Sequence, residues 1–157
     1  AKKVVTRVFA EWAKRFGRRY GVVETYRAKG ADTLMLTMGS MGETAATAVD
    51  ELRKAGRKVG LVKLRLWRPL PVEELRAALS ECKTLIVMDR AISTGGAGGP
   101  VATDVKSALY GEKKKPRVLN VIAGLGGRDL TVQDFKAMFD LAKKKKDEIF
   151  EFYGVRE

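Results

Sequence analysis

Histidine is absent from this chain of 157 residues, and Cys82 is its single cysteine. Without histidine the chain lacks the commonest general base and metal ligand, and Ser–His or Cys–His nucleophiles are excluded. One cysteine excludes a disulfide framework and an iron–sulfur cluster, which normally needs several thiolates. We therefore expect no metal site, no catalytic acid–base residue in this chain, and a reducing, cytoplasmic compartment.

Long apolar runs and side-chain amides are also scarce. No apolar stretch approaches the roughly 20 residues that cross a bilayer, and we expect no membrane partner. Asn120 and Gln133 are the only side-chain amides, while 32% of the residues are charged. Few thermolabile amides among many charged residues is a bias of hyperthermophile proteins, so we expect a thermophilic source.

Positive charge is abundant, with a formal net charge of +12. Residues 1–30 hold nine Lys and Arg against two Glu, which gives 9 − 2 = +7, and lysine runs at 113–115 and 143–146 add to the total. A basic surface attracts nucleic-acid backbones, but the chain has no Cys/His finger and no aromatic RNA-stacking motif. We favour solvated faces or an acidic protein partner over nucleic acid.

Apolar strand-like segments alternate with amphipathic helix-like segments along the chain. The predicted strands are 33–38, 58–67, 85–89 and 117–123. The predicted helices are an N-terminal one, 43–55, one that begins at Pro71, one that begins at Pro100, and one capped by Thr131 and Asp134. Strands that alternate with helices form parallel sheets, so the fold class is α/β: a three-layer α/β/α sandwich with a mainly parallel sheet.

We divide the chain into three parts. Residues 1–30 form an amphipathic helix, with an apolar face that includes Trp12 and Phe16, and a connector from an upstream domain. Residues 31–142 form the α/β domain, and residues 143–157 form a basic helix end and tail. Because the chain begins at Ala1 within a helical pattern, we expect it to be part of a longer polypeptide.

Four loops follow the predicted strands and should meet at one edge of the sheet. The first contains Gly39 and Ser40 and leads into a helix N-terminus, where an anion could bind; a tight strand-to-helix turn is the alternative. The glycine-rich segment RAISTGGAGGP offers a close backbone approach to a ligand or partner, or a flexible connector. Its candidate residues are Arg90, Ser93, Gly95 and Gly96.

Charged residues at the strand ends complete the set of candidates. Arg68 and Asp89 should lie side by side as a structural ion pair. Arg128 should pair with its neighbour Asp129. Cys82 follows a helix without a partner in the sequence, which indicates a semi-buried, unreactive thiol.

Four segments, taken in order, resemble a known pattern: TMGSMGETAATAVDELRKAG, VGLVKLRLWRPLP, VMDRAISTGGAGGP and VIAGLGGRDLT. They are similar to the second domain of the alpha subunit of pyruvate (2-oxoacid):ferredoxin oxidoreductase, which resembles the C-terminal domain of transketolase. The likeness extends over about residues 20–139.

The resemblance implies a non-catalytic structural or assembly domain of an enzyme complex. That complex oxidatively decarboxylates pyruvate or a related 2-oxoacid to acyl-CoA and reduces ferredoxin. It uses thiamine diphosphate, iron–sulfur clusters and coenzyme A, and the resemblance implies that none of these cofactors is bound by this chain. Its implied partners are the other subunits or domains, and ferredoxin through the complex. The isolated chain should be inactive and could form a homodimer through surfaces left exposed. The alternatives are a free-standing basic α/β module that binds nucleic acid or nucleotide, and the matching domain of an NAD-linked dehydrogenase or transketolase.

Overall fold

The described residues form one sheet of six strands. The structure is a computed structural model that describes residues 1–145 and 149–155. Its strands are β1 (Val23–Tyr26), β2 (Thr33–Met38), β3 (Val59–Leu64), β4 (Thr84–Asp89), β5 (Arg117–Ala123) and β6 (Phe150–Tyr153). Its helices are α1 (Lys2–Phe16), α2 (Met41–Lys54), α3 (Val72–Leu79), α4 (Pro100–Leu109) and α5 (Val132–Lys144), with a short 3-10 turn at Leu125–Gly127.

The strand order is β1-β3-β2-β4-β5-β6, and every neighbouring pair is parallel except β1 with β3. Helices α2 and α5 pack on one face of the sheet through a core that includes Val49, Ile86 and Phe135. Helices α3 and α4 pack on the other face through a second core that includes Leu75, Val87 and Val105. The predicted α/β/α sandwich and its four parallel strands are therefore confirmed.

Two edge strands lie in segments that we assigned to a connector and a tail. β1, within residues 1–30, pairs antiparallel with β3, and β6, within residues 143–157, pairs parallel with β5. Each has four residues and is only half-buried, so neither produces the apolar run by which a buried strand is recognised. The lysine run that begins at Lys143 ends at Lys146, which lies outside the described residues, as do 147–148 and 156–157.

Helix α1 confirms the amphipathic helix predicted at the N-terminus, and Gly17 ends it in the left-handed conformation. It is not packed into the core, since none of its residues is buried. Lys2 Nζ donates hydrogen bonds to the carboxylates of Glu73 at 2.8 Å and Glu74 at 2.7 Å on α3. One apolar stripe at four-residue spacing faces solvent: Val4, Val8, Trp12 and Phe16 are each 43–58% exposed. The α1 stripe is thus an apolar face that the described residues do not cover.

The predicted capping box at the start of α5 is present. The Thr131 hydroxyl accepts a hydrogen bond from the Asp134 N–H, and the Asp134 carboxylate accepts one from the Thr131 N–H at 2.7 Å. The carboxylate also accepts from the Tyr153 hydroxyl of β6, at 2.9 Å. This cap therefore joins α5 to the edge strand.

Replacing Thr131 by alanine should lower the free energy of unfolding by about 1 kcal/mol, the usual effect of losing an N-cap. The hydrogen bond from the Thr131 hydroxyl is the main cause that lowers the pKa of Asp134, so this stabilisation is present above the unfolded-state value of 3.8. It is lost as the pH falls through the lowered folded-state pKa. Urea titrations of both proteins at a series of pH values should show the gap closing in acid. Thr47→Ala, on the exposed face of α2, should show no such gap; a constant gap at all pH values would contradict the assignment.

Candidate functional site

The carboxyl ends of β2, β3, β4 and β5 meet at one edge of the sheet. From β2 the chain crosses to β3 on one side, and from β3 it returns past β2 to β4 on the other side. This reversal of direction leaves a crevice between the ends of β2 and β4. In open α/β sheets such a crevice is the usual position of a ligand.

A cavity of about 250 Å³ occupies this crevice. Three of the five methionines in the chain line it: Met38, Met41 and Met88. Trp67 and Val101 contribute further apolar side chains to its walls. Met88 is buried, while Met38, Met41 and Trp67 are partly exposed, so the crevice opens to solvent through adaptable, apolar side chains.

Trp67 is held in place by the ion pair between Arg68 and Asp104. Its indole N–H donates to the Asp104 carboxylate at 2.7 Å, and the Arg68 guanidinium pairs with the same carboxylate at 2.5 Å. Arg68 also lies over the indole ring, 4.3 Å from its centroid. The predicted ion pair between Arg68 and Asp89 is therefore wrong: Arg68 turns toward α4, whose Asp104 lies within reach.

Asp89 instead caps the N-terminus of α4 from the end of β4. Its carboxylate accepts hydrogen bonds from the N–H groups of Val101 at 3.0 Å and Ala102 at 3.1 Å, and from the Asn120 amide at 3.0 Å. These are the unpaired N–H groups of a helix start, and the helix dipole favours a carboxylate there. Burial nevertheless raises the pKa of Asp89 above its ordinary value. Both oxygens accept hydrogen bonds from the protein, so Asp89 serves the fold at this edge.

Asn120 is a buried polar residue at this edge that the sequence prediction missed. It is fully buried, and its side chain accepts from the Gly99 N–H at 2.7 Å while donating to the Val87 carbonyl at 3.0 Å and to Asp89. A signal was available, because the one asparagine of the chain interrupts the apolar strand RVLNVIA. A buried polar residue in such a strand indicates a specific hydrogen-bonding duty.

The glycine-rich loop at 90–99 divides into a buried part and an exposed part. A Cβ atom at Gly99 would overlap the Asp89 carboxyl group, so glycine permits close packing inside the protein at this position. Ser93 and Gly96 belong to the exposed part, which is closed on itself: Gly96 N–H donates to the Ser93 carbonyl, and Ser93 N–H donates to the Gly98 carbonyl, each at 2.9 Å. Gly95, at the tip, has the positive φ of +69° that this turn needs. Contact of Ser93, Gly95 or Gly96 with a partner stays a prediction.

Gly39 and Ser40 form an exposed turn into α2. Gly39 has a φ of +64°, and its carbonyl accepts from the Gly42 N–H at 3.2 Å. The Ser40 side chain makes no cap for α2. The geometry is that of a tight strand-to-helix turn, and anion binding there stays a prediction.

The two remaining candidate arginines donate hydrogen bonds to backbone carbonyls of neighbouring loops. Arg90 donates to the Gly124 carbonyl at 3.2 Å. Arg128 donates to the Gly154 carbonyl just after β6. The predicted Arg128–Asp129 ion pair is therefore wrong, because the residue that follows β6, a strand that the sequence prediction missed, supplies Arg128 with a backbone acceptor.

Cys82 does not suit a cluster ligand or a nucleophile. It is buried, its Sγ donates to the Thr84 carbonyl at 3.0 Å, and burial raises the pKa of the thiol to about 11. Among residues 1–145 and 149–155, no group of three or more His, Cys, Asp and Glu could hold a metal ion. No helix in the same residues is long and apolar enough to cross a membrane.

We expect Cys82 to react at least about 100-fold more slowly with a thiol reagent at about pH 8 in the native chain than in urea, since only the thiolate attacks. The rate should rise with pH until it approaches the raised pKa. The urea-unfolded chain is the control. Equal rates in both states would show that the thiol is accessible and contradict its assignment as buried.

The fold and the edge crevice define a class of protein: α/β domains like the C-terminal domain of transketolases. A solved structure titled "Split gene transketolase, inactive beta4 tetramer" superposes with a TM-score of 0.58 at 20% identity, over 83% of this chain and 44% of that one. A 2-oxoglutarate:ferredoxin oxidoreductase from Magnetococcus marinus superposes with a TM-score of 0.56 at 22% identity, over 83% of this chain and 20% of that one. At these identities the likeness establishes the fold.

The family follows from the sequence match. Residues 31–135 match the family model described as pyruvate:ferredoxin oxidoreductase core domain II, and the chain belongs to this family. It is 42% identical to pyruvate synthase subunit PorA of Pyrococcus abyssi over 144 residues, covering 92% of this chain and 36% of that protein. It is also 42% identical to ketoisovalerate oxidoreductase subunit VorA of Pyrococcus horikoshii over 162 residues, covering 99% of this chain and 41% of that protein. The chain thus spans about two fifths of the length of these relatives. The resemblance stated from the four sequence segments is confirmed.

Proposed function

We propose that this chain is the second domain of the alpha subunit of a thiamine-diphosphate-dependent 2-oxoacid:ferredoxin oxidoreductase. The assembly would convert pyruvate or a related 2-oxoacid to acyl-CoA and reduce ferredoxin. The observation that carries the proposal is the 42% identity to a pyruvate synthase subunit over 92% of this chain. An equal identity to a ketoisovalerate oxidoreductase subunit supports branched-chain 2-oxoacids beside pyruvate as candidate substrates.

Within that assembly the domain would be structural and would not take part in the chemistry. Asp89, the carboxylate at the edge crevice, is occupied by backbone and amide donors, and Asp104 is occupied by Trp67 and Arg68. Cys82 is a poor cluster ligand because its thiol is buried and its pKa is raised to about 11. The residues described here therefore do not fit an iron–sulfur cluster, and we expect the clusters, thiamine diphosphate and coenzyme A to be held by other parts of a cytoplasmic complex.

The α1 stripe supports a role in assembly. Exposed apolar faces of this kind mark sites where proteins pack together. The stripe lies within residues 1–30, whose net charge of +7 would favour acidic neighbouring subunits. Ferredoxin would be reached through the complex.

The test is to produce the full-length subunit that contains this chain together with its partner subunits, and to measure 2-oxoacid-dependent ferredoxin reduction. We expect activity from the assembled complex and none from the 157-residue chain alone. Trp12→Glu with Phe16→Glu should prevent assembly while leaving the domain folded, since neither side chain is buried. The matched control is Tyr110→Glu, an aromatic residue that is 84% exposed elsewhere on the surface. A full-length protein that purifies alone without such activity would overturn the proposal.

The alternative of a free-standing nucleic-acid-binding module is not favoured by the family match. It still has a direct test, because phosphate-backbone binding weakens steeply with salt. We expect at most weak, salt-sensitive retention of a DNA duplex. Tight binding that survives moderate salt would revive the alternative.

A further inference from the structure

We propose that the edge crevice binds a small carboxylate with a compact apolar tail. The cavity of about 250 Å³ lies between the ends of β2 and β4, where α/β sheets place their ligands. The proposal is independent of the oxidoreductase assignment, since it rests on the crevice alone.

The apolar part of the ligand follows from the walls. Met38, Met41 and Met88 converge on the cavity beside Trp67. Methionine side chains are flexible and polarisable, and they accommodate apolar groups of varied shape. The cavity is smaller than the roughly 300–1,000 Å³ of clefts that hold drug-sized ligands, which argues against a nucleotide.

The charge of the ligand follows from the polar side chains of the cavity that still have unused hydrogen-bond donors. The Asp89 oxygens are taken by α4 and Asn120, and the Trp67 indole N–H is taken by Asp104. Arg90 also lines the cavity, and it donates one hydrogen bond, to the Gly124 carbonyl, and has no carboxylate partner among the described residues. A guanidinium has five N–H donors, so the donors of Arg90 that do not contact Gly124 can bind a carboxylate, whose geometry a guanidinium matches.

The other cation nearby is not available in the same way. Arg68 already pairs with Asp104 and stacks on Trp67. It therefore fixes the wall of the crevice, and Arg90 is left to receive the anionic end of the ligand.

Methionine methyl NMR tests the proposal directly on the 157-residue chain. The probe is 4-methylpentanoate, and we expect saturable shifts of the Met38, Met41 and Met88 signals. The Kd should be on the order of 1 mM or below, because a ligand of few atoms makes few contacts. Met35 and Met138 are fully buried away from the crevice and serve as internal controls. Acetate, which lacks the tail, and 4-methylpentanamide, which lacks the charge, should each bind at least about tenfold more weakly.

Two sets of variants locate the anionic end. Arg90→Gln should weaken binding about tenfold or more, as expected for a lost charge-assisted hydrogen bond. Arg128→Gln, on the same edge but outside the cavity, should change the affinity less than about twofold. Met41→Glu should weaken binding about tenfold beyond the isosteric Met41→Gln, because the added charge repels a carboxylate.

Absence of saturable shifts up to about 100-fold the expected Kd would overturn the proposal. So would equal binding of the amide, equal binding of acetate, or an unchanged affinity in Arg90→Gln. Uniform shifts of all five methionine signals would indicate a general effect on the fold and would also count against it.

Discussion

Replacing Gly99 by alanine should lower the free energy of unfolding by about 3 kcal/mol or more, through overpacking of a fully occupied site. A Cβ atom at this position would lie 2.2 Å from Asp89 Oδ2 and 2.3 Å from its Cγ. Asp89 cannot move aside, because its carboxylate is held by the start of α4 and by Asn120. The new methyl group must therefore push α4 away from the sheet.

Urea unfolding followed by circular dichroism measures this effect, and the chain offers a matched control. Gly111 lies just beyond the other end of α4, and a Cβ atom there would meet nothing within 4 Å. Gly111→Ala should change the stability by no more than about 0.5 kcal/mol. If both variants behave alike, the close contact between Gly99 and Asp89 is not present in solution.

Replacing Asn120 by alanine should cost a similar amount, about 3 kcal/mol. The change leaves the Gly99 N–H buried without its acceptor and removes a donor from the Val87 carbonyl and from Asp89. A buried polar group without a partner costs about 1–3 kcal/mol, so losses at several groups add up.

Asn120→Asp distinguishes loss of hydrogen bonds from a general packing defect. It places a second carboxylate beside Asp89, and two such groups ionise together only with difficulty, so the pair retains a proton in the folded state. The folded state then binds more protons than the unfolded state, and stability falls as the pH rises through the raised pKa of the pair. Unfolding titrations from about pH 4 to about pH 8 should show a steeper loss for Asn120→Asp than for the unmodified chain. A slope equal to that of Asn120→Ala would refute the shared-proton explanation; Gln133→Ala, an exposed amide change, is the control.

Much of the fold could be predicted because its signals are local. The start of α5 at Thr131 with Asp134 is encoded in a four-residue motif, and the structure has it. The central strands are buried on both faces, so β2 and β4 appear in the sequence as mainly apolar runs. The edge strands β1 and β6 have no such signature, because each is short and one side of each is open to solvent.

The site was less predictable because its contacts join distant segments. Arg68 follows β3 and Asp89 ends β4. The sequence indicates that they share an edge of the sheet but not which way each side chain turns. Arg68 reaches Asp104 on α4, 36 positions along the chain (104 − 68 = 36), and Asp89 reaches the start of the same helix. Only the packing of α4 against the sheet decides between these pairings.

We expect the parallel strand β6 to limit association between copies of the protein as well. β5 is a seven-residue strand whose last five residues are buried. Without β6 its backbone donors and acceptors would form a long, flat, apolar edge, which is a template for pairing with the same edge of another molecule. β6 covers it with a short strand that carries Glu151 and lies close to Lys145, and charges on a short strand discourage further growth of the sheet. A chain shortened to end at residue 145 should therefore form oligomers in size-exclusion chromatography, and we expect the four residues of β6 to keep copies of this domain apart.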